Sequence, residues 1–214
     1  FGANSSGKTA LLQFLLLLKQ TVEHPDPTIP LFWGDERSPV DLGGYLDAIH
    51  RHDPARKLEW QLCWETLHGV SVAASKTKRI AHRATLAYYN NQVLLDNMGY
   101  VLGKAYVGLY RQDNVYEVIH KGFDLVRAQH RPALITSPVK CYGFPALVIT
   151  RYRNEGILAS LGLEFTRLFE RICYLGPLRE YPKRQYRWAD LKPRDVGSKG
   201  EFTVDALIAS QQLG

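Results

Sequence analysis

The pattern of hydrophobic and polar positions separates stretches of helical character from stretches of strand character. Residues 9–23 are rich in strong helix formers and apolar on nearly every side, which predicts a helix buried against a sheet. Apolar residues at helical spacing predict a second helix over residues 156–171. Residues 203–212 are typical of a last helix that has Thr203 as its N-cap.

Alternation of apolar and polar residues predicts the strands. Residues 58–66 alternate in the manner of a half-exposed strand. Strand patterns then recur about every ten residues, so we expect an antiparallel meander over residues 79–121. Its predicted strands are 84–89, 92–95, 104–110 and 115–120, with turns at 90–91, 97–99 and 112–114. A short apolar run at residues 172–175 predicts one more strand, which we expect to be buried.

Composition and charge narrow the class of protein. Of the 214 residues, 45% are hydrophobic and 22% are charged, which is enough apolar material for a folded core. The net charge of +6 permits phosphate or nucleic-acid partners. The apolar runs are far shorter than the ~20 residues that span a bilayer, so we expect no membrane association. Three cysteines without a Cys-x-x-Cys pair favour a reducing, cytoplasmic location.

The most specific chemical signal lies at the start of the chain. Residues 2–9 fit the phosphate-loop pattern G-x-x-x-x-G-K-[ST] at every specified position. Glycine permits the backbone angles that turn amide groups toward a polyphosphate, Lys8 meets the β and γ phosphates, and Thr9 offers a hydroxyl to Mg²⁺. The candidate nucleotide-binding residues are Gly2, Ala3, Asn4, Ser5, Ser6, Gly7, Lys8 and Thr9. Lys8 is also the candidate catalytic residue, since its charge stabilises the transition state.

Four segments together resemble a known family. Residues 2–20 are similar to the loop and first helix of predicted AAA-family ATPases, which belong with the RecF, SMC and OLD branch of ABC-type ATPase heads. Residues 41–53 resemble the "LGSF-x-D" stretch of that group, and we expect them to form a turn and a short helix. Residues 174–180, followed by 196–201, resemble its "LGPLR" and "VGxxGE" pair.

The resemblance implies a fold, cofactors and partners. It implies an α/β fold, the N-terminal lobe of an ABC-type P-loop NTPase head, with the antiparallel subdomain at residues 79–121. Residues 1–214 would be the N-terminal part of such a head, and residues 1–23 its phosphate loop and first helix. Heads of this kind bind ATP and Mg²⁺ and dimerise face to face around two nucleotides. The implied role is to drive a DNA repair complex or a defence against foreign DNA.

Two motifs of such heads do not occur in the sequence. One is the Walker B motif, a run of four apolar residues followed by Asp-Glu. The most similar segment, residues 93–97, lies in the predicted meander and lacks the glutamate. No signature loop occurs either. We therefore expect both motifs, the general base and the strand before the phosphate loop to lie outside these residues. On that basis the chain alone would bind ATP weakly and hydrolyse none, whereas the full-length protein would be an ATPase.

Weaker signals leave alternatives open. His50, His52 and Asp53 could hold a metal, but a polar loop is favoured because no third ligand has suitable spacing. Asp47 or His50 could approach the γ-phosphate, although a structural loop is the favoured interpretation. The segment at residues 179–188 interleaves basic and aromatic residues, which suits either a solvated loop or contact with nucleotide or DNA.

Two other functions share the phosphate loop. A small-molecule kinase needs an arginine-rich lid and an acceptor site, and a GTPase needs an Asn-Lys-x-Asp motif that does not occur in the sequence. The long meander argues against both. A non-enzymatic module that binds ATP without turnover, as a nucleotide-gated scaffold, is the remaining alternative.

Overall fold

A computed structural model describes residues 7–72, 75–123, 125–126, 137–152, 156–176, 179–181, 183–186, 193 and 196–211. The chain forms two compact units, Phe1–Phe169 and Glu170–Gly214. The helices are α1 (Lys8–Glu23), α2 (Tyr45–Ala48), α3 (Ala146–Ile149), α4 (Gly156–Glu170) and α5 (Thr203–Gln211), with a 3-10 turn at His50–His52. The strands are β1 (Leu58–Val72), β2 (Ser75–Tyr89), β3 (Gln92–Leu102), β4 (Ala105–Gln112) and β5 (Val115–Lys121).

The five strands form one sheet in the order β1-β2-β3-β4-β5, and every neighbouring pair is antiparallel. The Asn90–Asn91 hairpin turn has positive φ angles of 48° and 63°, as a tight two-residue turn requires. The coarse fold prediction of helices with an antiparallel sheet is confirmed. The meander is longer than expected, because it also includes β1 and the whole of β2.

The turn predicted at residues 97–99 is wrong, because β3 continues through it to Leu102. Gly99 is needed there for packing. A Cβ on Gly99 would lie 2.5 Å from the hydroxyl of Tyr106, whose ring covers this position from β4. The turn occurs later, at Gly103 and Lys104, where Gly103 has a positive φ of 63°.

Two further predictions about the second unit are corrected. Residues 172–175 form neither a strand nor a buried segment, and Leu175 is 40% exposed. The next amide, that of Gly176, donates to the carbonyl of Ser198 at 2.7 Å in a loop contact. Thr203 is not an N-cap, because α5 begins at Thr203 itself and its hydroxyl donates to the carbonyl of Gly200.

One face of the sheet carries the core of the first unit. Phe165 of α4 lies at its centre and stacks on Tyr142 with ring centroids 4.5 Å apart. His82 of β2 meets the edge of the Phe165 ring at 4.7 Å. Trp60 and Trp64 of β1 pack against Phe14 and Phe165 respectively, with ring centroids 5.4 and 6.0 Å apart.

Candidate functional site

The first turn of α1 carries the described part of the predicted phosphate loop. Gly7 has φ 79° and ψ 8°, a left-handed conformation, and the helix begins at Lys8. A Cβ on Gly7 would meet no atom within 4 Å, so backbone conformation is what requires glycine here. The amide of Leu11 donates to the carbonyl of Gly7 at 3.1 Å, which closes the first turn. The candidate residues Gly2 to Ser6 lie outside the described residues.

The N-terminal half of α1 is open to solvent. Lys8 and Thr9 are exposed, and Leu11 and Leu12 are 69% and 62% exposed. The prediction that the whole helix is buried is therefore wrong, since burial begins only at Leu16. An exposed helix N-terminus presents amide groups and a positive partial charge, and here it also presents an ammonium group and a hydroxyl. These groups suit an anion bound with a hard cation.

The C-terminal half of α1 is fixed by buried polar contacts. The amide nitrogen of Gln20 donates to the carbonyls of Phe32 and Val40 at 3.1 and 3.0 Å. The hydroxyl of Thr21 accepts a hydrogen bond from the amide of Phe32 at 2.9 Å. The ammonium of Lys140 donates to two carbonyls at the end of the helix. The first turn therefore projects from a helix that is well anchored behind it.

The stretch at residues 41–53 contains the expected turn and short helix. Tyr45 anchors it, because its hydroxyl lies 2.7 and 3.1 Å from the carbonyl oxygens of Arg56 and Leu86, which share its proton, and its ring stacks on Tyr88. Asp47 lies beside Gly43, and His50 is exposed. These placements are local to the segment, so an approach of Asp47 or His50 to a phosphate stays a prediction.

Asp96, the acidic residue of the apparent Walker B imitation, has other partners. It lies in a β-bulge, because Thr85 pairs with Asn97 whereas Leu86 pairs with Leu95. Its carboxylate lies 2.7 Å from the ammonium of Lys57 and 3.1 Å from the guanidinium of Arg111. The hydrogen bond to Asp96 raises the pKa of Lys57. A carboxylate held by two cations in an antiparallel strand is poorly suited to bind Mg²⁺.

In the second unit, the two stretches that resemble the "LGPLR" and "VGxxGE" pair lie side by side. Besides the bond from Gly176 to Ser198, the amide of Glu180 donates to the carbonyl of Lys199 at 3.0 Å. The basic segment at residues 179–188 overlaps the end of the first stretch, and within it Lys183 forms an exposed ion pair with Glu180. Tyr181 is 90% exposed. Arg187 and Trp188 of this segment lie outside the described residues.

Within the described residues, no group of three or more histidine, cysteine, aspartate or glutamate side chains could hold a metal ion, including His50, His52 and Asp53. No described helix combines the length and apolar character needed to span a membrane. Comparison with protein-family models, with curated proteins and with solved structures finds no match to this chain.

Proposed function

We propose that this chain binds ATP with Mg²⁺ through the loop of residues 2–9 and the first turn of α1. The observation that carries the proposal is the start of α1. A left-handed Gly7 leads directly into a helix that begins at Lys8, in a sequence that has every specified residue of a phosphate loop. In this proposal, Lys8 meets the β and γ phosphates and Thr9 contributes its hydroxyl to the Mg²⁺ ion.

At full natural length we propose an ATP-hydrolysing head of the RecF, SMC and OLD type. Lys8 and the loop amides would stabilise negative charge on the transferring phosphoryl group. Two heads would enclose two nucleotides, and DNA would be the substrate of the complex that they drive. Support comes from the phosphate loop and from the adjacency of the two loops in the second unit that resemble the family pair. In this proposal the general base for hydrolysis is not among residues 1–214.

A module that binds ATP without turnover is the second candidate. The observation that favours it is the engagement of Asp96 by Lys57 and Arg111, since this is the carboxylate that most resembles a Walker B residue. Phosphate release by the full-length protein distinguishes the two. Mg²⁺-dependent turnover that is lost in Lys8→Ala supports the head, and tight binding without turnover supports the scaffold.

Nucleotide binding itself is tested by calorimetry on the protein at its natural full length. We expect Lys8→Ala to abolish ATP binding, because it removes the charge that meets the phosphates. Thr9→Ala should retain nucleotide binding but lose most of its Mg²⁺ dependence. Lys104→Ala, which removes an exposed charge from the turn between β3 and β4, is the matched control. Unchanged ATP affinity in Lys8→Ala would rule out the proposed site.

A further inference from the structure

The sheet of the first unit has a second face, opposite the one that carries His82 and the core. We call it the open face. Its central part is formed by residues that neighbour one another across β2, β3, β4 and β5. They are Arg83, Gly99, Val101, Tyr106, Gly108, Tyr110, Ile119 and Lys121.

The centre of the open face is an aromatic ring that lies across a pair of glycines. Gly99 and Gly108 are directly opposite each other on β3 and β4. A Cβ on either glycine would collide with the hydroxyl end of the Tyr106 ring. The ring therefore rests on the backbone of two strands and is half-buried there. Burial raises the pKa of the Tyr106 hydroxyl, and the charge of neighbouring Arg83 opposes that shift.

A second tyrosine lies on the same strand and face. Tyr110 is four residues after Tyr106, which places the two Cα atoms about 13 Å apart along β4. Its side chain is 49% exposed, and Ile119, which is opposite Gly108 on β5, is 45% exposed. The open face therefore presents two aromatic rings and an apolar side chain to solvent on a rigid, hydrogen-bonded support.

Cations flank the aromatic centre on both sides. Arg83 of β2 is opposite Gly99, and Lys121 of β5 is opposite Tyr106. The two cations are three strands apart and offset by two residues along the strands, so their Cα atoms are about 16 Å apart. Both side chains are exposed. The Nε of Arg83 donates to Gln61, its partner on β1, at 2.6 Å. Neither residue forms an ion pair with any described residue. The acidic residues Glu59 and Glu117 lie in the row of Tyr110, away from this pair.

We propose that the open face binds single-stranded nucleic acid. Arginine and lysine on either side can neutralise backbone phosphates, and the tyrosine rings can stack on unpaired bases. In a duplex the bases stack on one another and do not expose their faces. The two glycines let the Tyr106 ring lie against the sheet, which leaves the outer side of the ring available to a base. Base stacking on aromatic rings and neutralisation of phosphates both tolerate any base, so we expect stacking and charge, rather than base sequence, to determine affinity. This site does not depend on the proposed ATP site.

The test is fluorescence anisotropy with the full chain in the absence of ATP. Three labelled probes separate the sources of the signal: a 20-nucleotide thymidine strand, a 20-nucleotide uridine strand and a 20-base-pair duplex. We expect either or both single strands to bind more tightly than the duplex. Titrations at several salt concentrations count the phosphate contacts, since each contributes about 0.7 to the slope of log affinity against log salt.

Two pairs of variants identify the face. Arg83→Gln with Lys121→Gln should make the salt slope shallower by about 1.4. Its charge-matched control, Arg37→Gln with Arg51→Gln, changes two exposed arginines outside the sheet. Tyr106→Leu and Tyr110→Thr should each weaken single-strand binding at least about fivefold, the lower range for one lost stack. Tyr181→Ser, in the basic segment of the second unit, is the aromatic control and should leave binding unchanged.

Thermal unfolding of each variant shows whether it is folded. If Tyr106→Leu is unstable, Tyr110→Thr still tests the proposal, because it removes only an exposed ring. The proposal is overturned if duplex and single strands bind equally and the tyrosine variants bind like the wild type. It is also overturned if only Tyr181→Ser loses affinity, because binding then belongs to the basic segment. No binding of any probe would overturn it as well and would leave the open face to a protein partner.

Discussion

The ammonium of Lys140 lies 2.9 Å from the carbonyl oxygen of Val22, in the last turn of α1. It also donates to the carbonyl of His24, and the backbone amide of Lys140 donates to Pro27 at 2.9 Å. The last carbonyls of a helix have no partners within the helix and carry negative partial charge. Lys140 therefore caps the C-terminal end of the helix whose other end we propose as the phosphate site.

Lys140→Met should destabilise the protein by about 1 kcal/mol or more, because it leaves two partly buried carbonyls without their charged donor. Methionine keeps the length of the side chain, so the change removes mainly the charge and the hydrogen bonds. The free energy of unfolding in urea measures the effect. Lys104→Met, in the exposed turn between β3 and β4, is the control and should change stability little. Equal stabilities of the two variants would show that the contact with α1 contributes nothing.

Gly99→Ala should destabilise the sheet by about 1–3 kcal/mol, because the new methyl group has to displace the Tyr106 ring. Tyr106→Ala in the same chain should remove most of that penalty. A double-mutant cycle on the free energy of unfolding measures the coupling between the two positions. Gly156→Ala, where a Cβ meets no atom within 4 Å, is the control for adding a methyl group. Additive effects would mean that the two residues do not contact each other.

The elements that were predicted correctly depend on local pattern. The helix at α1, the alternation of β1 and the Asn90–Asn91 turn follow from residue types within a few positions of each other. The errors concern effects from distant residues. Gly99 resembled a turn residue because its partner, Tyr106, lies on the next strand. The exposure of Leu11 depends on what covers the helix, which its own periodicity does not contain.

The same limit applies to the candidate site. Residue types and spacing were sufficient to predict the phosphate loop, and they also drew attention to Asp96 as an incomplete Walker B imitation. The β-bulge that turns Asp96 toward Lys57 and Arg111 depends on strand register, which only the folded sheet shows. Lys140 gave no sequence signal at all, since its role depends on the end of a helix more than a hundred residues earlier.

Acid should weaken the fold through His82. Burial lowers the pKa of this histidine from 6.5 to about 3, and its Nε2 donates to the carbonyl of Cys141 as a neutral imidazole. The unfolded chain therefore binds more protons between pH 6.5 and 3, so stability falls as the pH drops through that range. By pH 5 the loss from this residue should reach about 2 kcal/mol.

Urea unfolding at pH 7.5 and pH 5 tests the contribution of His82. His82→Gln keeps an amide donor for Cys141 and does not titrate, so its stability should depend less on pH by about 2 kcal/mol. The variant can be less stable than the wild type at both pH values, since only the difference between them is diagnostic. His120→Gln, an exposed histidine on β5, should preserve the wild-type pH dependence. The same pH dependence in His82→Gln and the wild type would refute the assignment.

Asp96→Asn distinguishes a structural carboxylate from a catalytic one. The side chains of Asp96 and Arg111 are only 11% and 15% exposed, so loss of the negative charge leaves a largely buried guanidinium without its partner. We expect a loss of about 2–4 kcal/mol in the free energy of unfolding. Glu59→Gln, an exposed carboxylate on β1, is the control.

Replacement of Arg111 shows whether the effect of Asp96→Asn comes from the lost Asp96–Arg111 ion pair. Arg111→Met with Asp96→Asn should be less destabilising than the sum of the single changes, because the uncompensated charge is then gone. A catalytic acid would behave differently. Its replacement by the amide would leave stability nearly unchanged, and phosphate release by the full-length protein would fall although ATP still bound. That result would assign Asp96 a role in hydrolysis. It would also remove the observation that favours a module without turnover.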